Sequence, residues 1–458
     1  MQKELINQSA AVEYRDLGME VTHRFDDLTI SDEEFNRIMD VVSWKTTPMF
    51  PRRGRMGWYI LESSPQLVGH PSRTLIAAKM KGVGVYNPTH DAKYRDPVYH
   101  IASPEPFQPT NVPLVSFASY PHFGINSSGE YTFAFGKMAP TGAIVHQRAL
   151  NEYNCALHML KHNVPAIVPL AVVKYNDLPR FEEQDLGAVV CLSPSRYPHR
   201  LGEVQHGAAL RPGIDKSKDE YYHLLLDAFE IDADPYTEIT RLRLLKKLSR
   251  KVAGVINKFS TCGLFRYSST LQNFEFDFRS KEVVLTDLDS TLFLNSLPPH
   301  LQRLQVIRDL ASIIYHVMVG FATPLALGHY TLKNLITHDP IEEIISGYFS
   351  VETNQQIKNI SSLLWSLFVP HFVLLNRHKQ KIDTEWSVER RRSYKMEHDL
   401  LYVMAITCLY PLFSKSRIGS RYPHDTLTQE VLFNKAKKYL GNRYEYFEYL
   451  LSRNNPVF

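Results

Sequence analysis

The order of predicted elements indicates an α+β protein in two parts: a small β-rich lobe with one key helix, then a large helical lobe. Residues 142–165 carry apolar side chains at helical spacing. Apolar runs of strand length lie on both sides of this helix, and beyond Pro194 the periodicity becomes helical. A chain of 458 residues is long enough to bury one large core or two.

The domain organisation follows from the same order. We expect residues 1–45 to be an N-terminal extension, residues 46–193 the small lobe, and residues 194–458 the helical lobe carrying a metal-binding hairpin. Residues 86–140 are rich in Pro, Ser, Asn and aromatic side chains, which is typical of a long insertion. Ser31 and Glu34 form a capping box that predicts a helix over residues 32–42.

Composition limits the classes of partner. The net charge of +4 gives little support to nucleic-acid binding, so no nucleic-acid partner is expected. The four cysteines are far apart and lack metal-ligand spacing, which favours reduced thiols in the cytoplasm. The first residues are too polar for a signal peptide. The apolar residues 311–328 and 363–375 are interpreted as core helices, so no membrane is expected.

The predicted helix within residues 142–165 carries an unusually placed carboxylate. Asn163 and Pro165 end the helix. Its apolar stripe consists of Leu150, Tyr153, Leu157 and Leu160. The neighbours of Glu152 at helical spacing are Ala149, Ala156 and Met159. A carboxylate beside packed apolar surface requires a cation, although a solvent-facing glutamate is the simpler alternative.

A strand predicted over residues 74–81 offers two such cations. Its period of two places Lys79 and Lys81 on the face that also carries Leu75 and Ala77. Either lysine can pair with Glu152 on this evidence of spacing alone.

A predicted hairpin offers a metal site. Residues 273–278 alternate strictly between polar and aromatic side chains, residues 279–282 can turn the chain, and residues 283–286 return. The two strands of a hairpin place Asn273 and Asp287 at the same open end, and Asp289 can face the same side. One amide oxygen and two carboxylates suit magnesium. A solvated acidic hairpin is the alternative interpretation.

This order of parts resembles the protein-kinase-like fold. In that fold a strand lysine pairs with a helix glutamate and positions nucleotide phosphates, while an Asn and an Asp flanking a hairpin hold metal. The resemblance implies Lys81 and Glu152 as the pair, and Asn273, Asp287 and Asp289 as metal ligands. ATP and magnesium are the implied cofactors, with manganese as a substitute for magnesium.

The details look most like the selenoprotein O family of kinase-like protein adenylyltransferases. The resemblance rests on Lys81-Gly82-Val83-Gly84, on the helix GAIVHQRALNEYNCALHMLKHNVPA, and on GAVVCLSPSRYPHRLGE. It implies that Lys79, Lys81, Gly82 and Gly84 line the nucleotide site. It also implies that Arg200 binds an ATP turned around relative to kinases, so that AMP is transferred to a hydroxyl.

The chain departs from that family in several places. The family has a short link where this chain has residues 86–140. A family arginine near Cys191 is absent, and the family's catalytic-loop Asp-Asn pair falls on Ser268 and Ser269. Asn273 becomes a ligand through a second alignment, which resembles ordinary kinases and puts Ser268 at the position of the base.

Three hypotheses follow from the sequence. The first is an enzyme that binds Mg-ATP between two lobes and transfers AMP to a protein or small-molecule acceptor, with Lys81, Glu152 and Asp287 as catalytic residues. The second is a kinase-like phosphotransferase that acts on a small molecule or protein. The third is a nucleotide-binding pseudokinase that works as a scaffold. Retention of five polar groups together favours an enzyme, because each is unfavourable if left unpaired in a cleft.

Overall fold

The structure is a computed structural model. It describes residues 16–46, 54–70, 73–85, 122–125, 131–134, 143–178, 180, 183–206, 212–213, 215–266, 269–323, 325–382 and 385–454.

A sheet-containing N-terminal part and a helical C-terminal part are present, as the sequence predicts. The strands are β1 (Met19–Arg24), β2 (Leu28–Thr29), β3 (Gly54–Ile60), β4 (Gln66–Leu67), β5 (Ala77–Val85), β6 (His122–Ile125), β7 (Tyr131–Ala134), β8 (Ile144–Val145), β9 (Val168–Tyr175), β10 (Leu186–Ser193), β11 (Leu264–Arg266), β12 (Phe274–Asp277), β13 (Glu282–Leu285) and β14 (Thr291–Phe293). The helices are α1 (Asp32–Val42), α2 (His146–Lys161), α3 (Gly202–Gln205), α4 (Lys216–Ala228), α5 (Glu238–Thr261), α6 (Pro299–Gly320), α7 (Leu332–Thr337), α8 (Pro340–Phe349), α9 (Gln355–Arg377), α10 (Val388–Lys415), α11 (Arg417–Arg421), α12 (Gln429–Leu440) and α13 (Arg443–Asn454).

The main sheet is antiparallel and has the strand order β1-β9-β10-β5-β3, with the short β8 also paired to β10. β10 is buried along its whole length and β9 at every residue except Lys174. These two strands are continuous apolar runs, which is typical of strands covered on both faces. α2 packs on β9 and β10 and covers one of those faces.

The chain divides into two compact units. Among the described residues, the first unit contains those up to Pro198 together with Phe276–Thr291, and the second contains those of His199–Glu275 and those from Leu292 onward. The predicted domain ranges differ from this division at two points. β1 lies within the predicted N-terminal extension but pairs with β9. The segment after β12 belongs to the first unit, where Leu285 N donates to Pro165 O at 3.0 Å.

Two helices of the first unit match their predicted ends. α1 has the predicted bounds, and Ser31 Oγ accepts from Glu34 N at 3.1 Å. α2 is followed by Asn163 in a left-handed conformation with φ +56°. The predicted apolar stripe of α2 is only partly correct, because Leu150 and Leu157 are half-buried. The buried face contains Ala149, Glu152, Tyr153, Cys155, Ala156, Met159 and Leu160.

The strands also correct the prediction. β5 begins at Ala77 rather than at residue 74, and it continues through Gly82 to Val85. β12 begins at Phe274, because Asn273 ends a 3-10 turn instead of starting the strand. The Asp277 carboxylate accepts from Arg279 N at 2.9 Å and Ser280 N at 3.3 Å, so it stabilises the hairpin turn. Most of the predicted insertion, residues 86–140, lies outside the described residues.

The helices of the second unit pack around α5 and α6. α5 and α8 cross closely, since a Cβ on Gly347 would lie 2.3 Å from Arg250 O. Only glycine at this position allows the two backbones to approach so closely. α6 is buried on most of its circumference, in agreement with its predicted place in a core.

One described helix, α9, is long and apolar enough by length and composition to cross a membrane. Half of its most apolar window is buried inside the protein. A core helix passes the same test, so a single helix of this kind is weak evidence for a membrane span.

Gly82 provides a stability prediction. Its φ is +102°, and an added Cβ would lie 2.5 Å from Gly187 O on β10. Gly69 has a similar φ of +78° with nothing within 4 Å of an added Cβ. We expect Gly69→Ala to reduce the free energy of unfolding by about 1 kcal/mol through backbone strain alone. Gly82→Ala should reduce it by about 3 kcal/mol, because a clash with β10 is added.

Urea denaturation followed by circular dichroism measures both variants. Equal losses of stability in the two variants would contradict the close approach of β5 to β10 at Gly82.

Candidate functional site

Two buried lysines project from β5, an inner strand of the sheet. β5 lies between β10 and β3, where Lys79 pairs with Cys191 and Trp58 and Lys81 pairs with Val189 and Met56. Both lysines lie on one face of β5 because side chains two residues apart share a face. Each is at most 5% exposed. Buried ammonium groups require anionic or hydrogen-bonding partners.

The ammonium of Lys81 contacts three carboxylates. Its Nζ lies 2.9 Å from Glu152 Oε2, 2.5 Å from Asp287 Oδ1 and 3.0 Å from Asp289 Oδ1. The side chains of Glu152 and Asp289 are almost fully buried, whereas that of Asp287 is 39% exposed. An ammonium has three N–H donors, so three carboxylates at these distances can engage all of them. We call these four residues the Lys81 cluster.

The position of Glu152 follows from the packing of α2. Small side chains, Ala149 and Ala156, lie one turn before and one turn after it and are fully buried. Because side chains at i−3 and i+4 share a helix face, Glu152 points with them toward the sheet that α2 covers. The sequence prediction that this carboxylate requires a cation is met by Lys81.

The loop after β13 supplies the other two carboxylates. β13 ends at Leu285, and Asp287 has a left-handed backbone with φ +64°. Aspartate is one of the few residue types that adopt this conformation readily. Thr291 N donates to Leu288 O at 3.0 Å and closes a turn around Asp289. The reversal after Thr286 thus lets two carboxylates of one short loop reach the same ammonium.

Lys79 has a different contact. Its Nζ donates a hydrogen bond to the hydroxyl of Thr286, which is fully buried next to Asp287. The prediction placed Lys79 near a nucleotide but did not include Thr286. In the sequence, Thr286 is distinguished only by its position between a buried strand and an acidic residue. Many threonines with a purely structural role have such a position.

The Lys81 cluster has the chemistry of a divalent-cation site. One oxygen from each of Glu152, Asp287 and Asp289 lies within 4.8 Å of the others. Carboxylate oxygens are the ligands that magnesium prefers. Three carboxyl groups meet at one ammonium, an arrangement to which a further cation can add. The donor set therefore fits magnesium.

Two further predicted residues, Arg200 and Asn273, lie in the second unit. Arg200 Nε forms an ion pair with Glu275 at 3.4 Å, and its Nη1 donates to Gln272 O at 2.9 Å. Asn273 N donates to Thr270 O at 3.0 Å in the adjacent 3-10 turn. The structure brings these two residues to one segment of the second unit, and their roles toward nucleotide and metal stay predictions.

The predicted glycines lie on β5. Gly82 is needed for close contact with β10, as described above, and Gly84 is part of the same strand. Their contact with a nucleotide stays a prediction. Ser268, predicted at the position of the catalytic base, lies outside the described residues.

Asp309 and Ser312 on α6 bind the backbone of the described residues Arg266 and Ser269. Asp309 on α6 accepts from Arg266 N at 3.0 Å, and Ser312 Oγ accepts from Ser269 N at 2.9 Å. The two hydrogen bonds fix the residues on both sides of positions 267 and 268. Burial raises the pKa of Asp309 to about 7, although the hydrogen bond from Arg266 N and the charge of Arg308 oppose this shift.

Comparisons with known proteins place little constraint on the chain. No protein-family model matches it, and no curated protein matches it. Among solved structures it is similar to WaaP in complex with acyl carrier protein, with a TM-score of 0.28 and 14% identity over 51% of this chain and 79% of that chain. A likeness of this size carries no argument about the fold or function of this protein.

We expect Lys81 and a divalent cation to compete for the carboxylates of the Lys81 cluster. Lys81→Met leaves three carboxylates close together, so we expect a loss of about 3–5 kcal/mol of unfolding free energy. Millimolar magnesium should then raise the melting temperature more in the variant than in the wild type, because the cation replaces the missing ammonium. Differential scanning calorimetry with and without magnesium measures both effects.

Lys174→Met is the matched control, because Lys174 is a partly exposed lysine of the same sheet that pairs with Glu20 at 3.3 Å. Surface pairs of this kind contribute about 0–1 kcal/mol. An identical magnesium shift in wild type and Lys81→Met would contradict the competition.

Asp309 gives a pH prediction. Its folded pKa of about 7 is above the ordinary value of 3.8, so the stability it contributes is present at low pH and is lost as the pH rises through about 7. Between about pH 4 and about pH 7, the unfolding free energy of the wild type should fall relative to Asp309→Asn, whose amide does not titrate.

Urea denaturation across this pH range measures the difference in slope. Asp227→Asn, which changes an exposed aspartate on α4, is the control and should keep the wild-type slope. A wild-type slope in Asp309→Asn would show that the buried carboxyl does not titrate in this range.

Proposed function

We propose that the protein is an ATP- and magnesium-dependent transferase with a protein-kinase-like fold, and that it transfers AMP from ATP to a hydroxyl acceptor. The Lys81 cluster carries this proposal. A strand lysine paired with a helix glutamate, and joined to an aspartate that follows a hairpin, is the arrangement that protein kinases use to hold phosphate and metal. Lys81 contacts both Glu152 and Asp287 within one unit, which supports the proposal.

Each residue of the Lys81 cluster would have its own role in binding metal or phosphate. Asp287 and Asp289 would hold the magnesium, which neutralises the charge that develops on the phosphates during transfer. Glu152 is the more buried partner of Lys81 and would keep the lysine in place. Lys81 would then direct its remaining N–H donors at phosphate oxygens. Positioning and charge stabilisation of this kind account for most of the catalysis in phosphoryl transfer.

The choice of AMP over phosphate rests on the resemblance to the selenoprotein O family. In AMP transfer the acceptor oxygen forms a bond with the α-phosphorus, and the bond from that phosphorus to the bridging oxygen breaks. Pyrophosphate leaves with the electron pair, and the hydroxyl proton passes to solvent. Ser268 stands where both the family and ordinary protein kinases have an aspartate, so it does not decide between the two reactions.

Phosphotransfer is the second candidate. The Lys81 cluster fits it equally well, because kinases attack the γ-phosphate with the same lysine, glutamate and metal-binding aspartate. We propose for either reaction a protein or small-molecule acceptor and a cytoplasmic location, without a nucleic-acid or membrane partner. The modest net charge supports the absence of a nucleic-acid partner.

Labelled ATP tests the proposal. Purified protein is incubated with magnesium and ATP labelled at either the α- or the γ-phosphate, and label is followed into the protein itself and into added acceptor proteins and metabolites. Transfer of the α-label alone is the expected result. Transfer of the γ-label alone would establish the phosphotransferase instead. Transfer of neither label, with ATP still raising the melting temperature, would contradict both reactions and favour a nucleotide-binding scaffold.

Lys81→Ala should lower kcat/KM in that assay by about 10²–10³-fold, because it removes a charge that contacts phosphate. Asp287→Asn should abolish the magnesium dependence of ATP binding measured by calorimetry. Lys174→Ala, at the partly exposed lysine of β9, is the control and should be as active as the wild type. Full activity in Lys81→Ala would remove the central lysine from the mechanism.

A further inference from the structure

Asn151 connects α2 to the loop that carries Asp289. It is half-buried and lies immediately before Glu152. Its Nδ2 donates to two backbone carbonyls of one loop, Asp289 O at 3.0 Å and Thr291 O at 2.8 Å. Both N–H groups of the amide can therefore be used on this loop.

The same loop is held from its other side by Lys81. Asp289 contacts Lys81 Nζ through its carboxylate and Asn151 through its carbonyl. The neighbouring helix residue, Glu152, also contacts Lys81 Nζ. Two consecutive residues of α2 thus fix two sides of the cluster: Asn151 holds the loop backbone, and Glu152 holds the lysine. The carboxylate of Asp289 has little freedom to leave the position between them.

The contact of Asn151 with the loop of Asp289 matches what a metal site requires. A divalent cation binds tightly only when its ligands already converge, and groups that orient the ligands contribute strongly to its affinity. Asp289 lies in a short loop, where a side chain is less precisely held than on a helix or strand. Asn151 compensates for this by tying the loop to a helix with two hydrogen bonds.

We propose that Asn151 is a positioning residue that sets the Asp289 carboxylate for a divalent cation in the Lys81 cluster. The inference rests on the metal site of the proposed function. Asn151 itself contacts neither metal nor nucleotide in this account, and it acts through the backbone of residues 289–291. Cys155 adds a weak contact to the same loop, with Sγ 3.8 Å from Thr291 O.

The test compares Asn151→Leu with Asn154→Leu in the full-length protein. Asn154 is exposed on the same helix, so its replacement controls for the loss of an asparagine from α2. Manganese is the probe, and its dissociation constant is measured by calorimetry and by the decrease of the free-ion paramagnetic resonance signal. We expect Asn151→Leu to bind manganese about 10–100-fold more weakly than the wild type and Asn154→Leu to bind it equally well.

A second measurement needs no metal. Hydrogen exchange of residues 286–291 in the metal-free protein should be faster in Asn151→Leu than in Asn154→Leu, because the loop has lost its attachment to α2. Asn151→Gln keeps both N–H donors and should restore part of the manganese affinity. If Asn151→Leu does not fold, Asn151→Ala removes the same donors without placing a new apolar group against the loop and is measured in its place.

The outcomes separate the inference from the proposed function. Manganese binding by the wild type with an unchanged affinity in the Asn151 variant overturns the positioning role alone. Unchanged hydrogen exchange of residues 286–291 overturns it as well. If the wild type binds no manganese, the metal site of the proposed function is wrong and this inference falls with it. Weaker manganese binding and faster exchange together, with Asn154→Leu unaffected, support it.

Discussion

The first unit is arranged around one buried ammonium group and the carboxylates that compensate its charge. An ammonium removed from water is strongly unfavourable unless paired, and an ion pair in such a place loses most of its value if one partner is missing. Lys81 has three carboxylate partners, two of them almost fully buried. The convergence of three carboxyl groups suits the cluster to a second cation.

The elements around the cluster are placed so that Lys81 and its three carboxylates can meet. β5 is an inner strand of the sheet, so the backbone of Lys81 is held by strands on both sides. α2 approaches that sheet through alanines, which lets Glu152 reach the lysine. The hydrogen bond from Leu285 N to Pro165 O brings the end of β13 next to the start of β9, and the left-handed Asp287 turns the chain back. The site is therefore built from strands, a helix and one short loop.

Part of this arrangement could be predicted from the sequence because local spacing determines it. The helical spacing of small and apolar residues around Glu152 showed that a carboxylate faced a packed surface, and the period of a strand put Lys79 and Lys81 on one face. The apolar stripe of α2 was partly misjudged because helical spacing alone does not decide which face meets the sheet. In the structure the smaller Ala149 and Ala156 are buried, while Leu150 and Leu157 are half-buried.

Other features depend on contacts between distant parts of the chain, which spacing does not determine. Thr286 and Asn151 make their contacts with elements that are far away in the sequence. The carboxylate of Asp277 accepts a hydrogen bond within the hairpin turn. Asn273 was predicted from the geometry of a hairpin and Arg200 from the resemblance to a family, and both make their described contacts within the second unit.

The most direct test of the account is a crystal of the protein grown with manganese and a non-hydrolysable ATP analogue, examined by anomalous diffraction. We expect an anomalous peak about 2 Å from carboxylate oxygens of Asp287 and Asp289, with Lys81 Nζ turned toward a phosphate oxygen. A nucleotide bound elsewhere, or a cluster in which Lys81 keeps all three carboxylates and no peak appears, would contradict it.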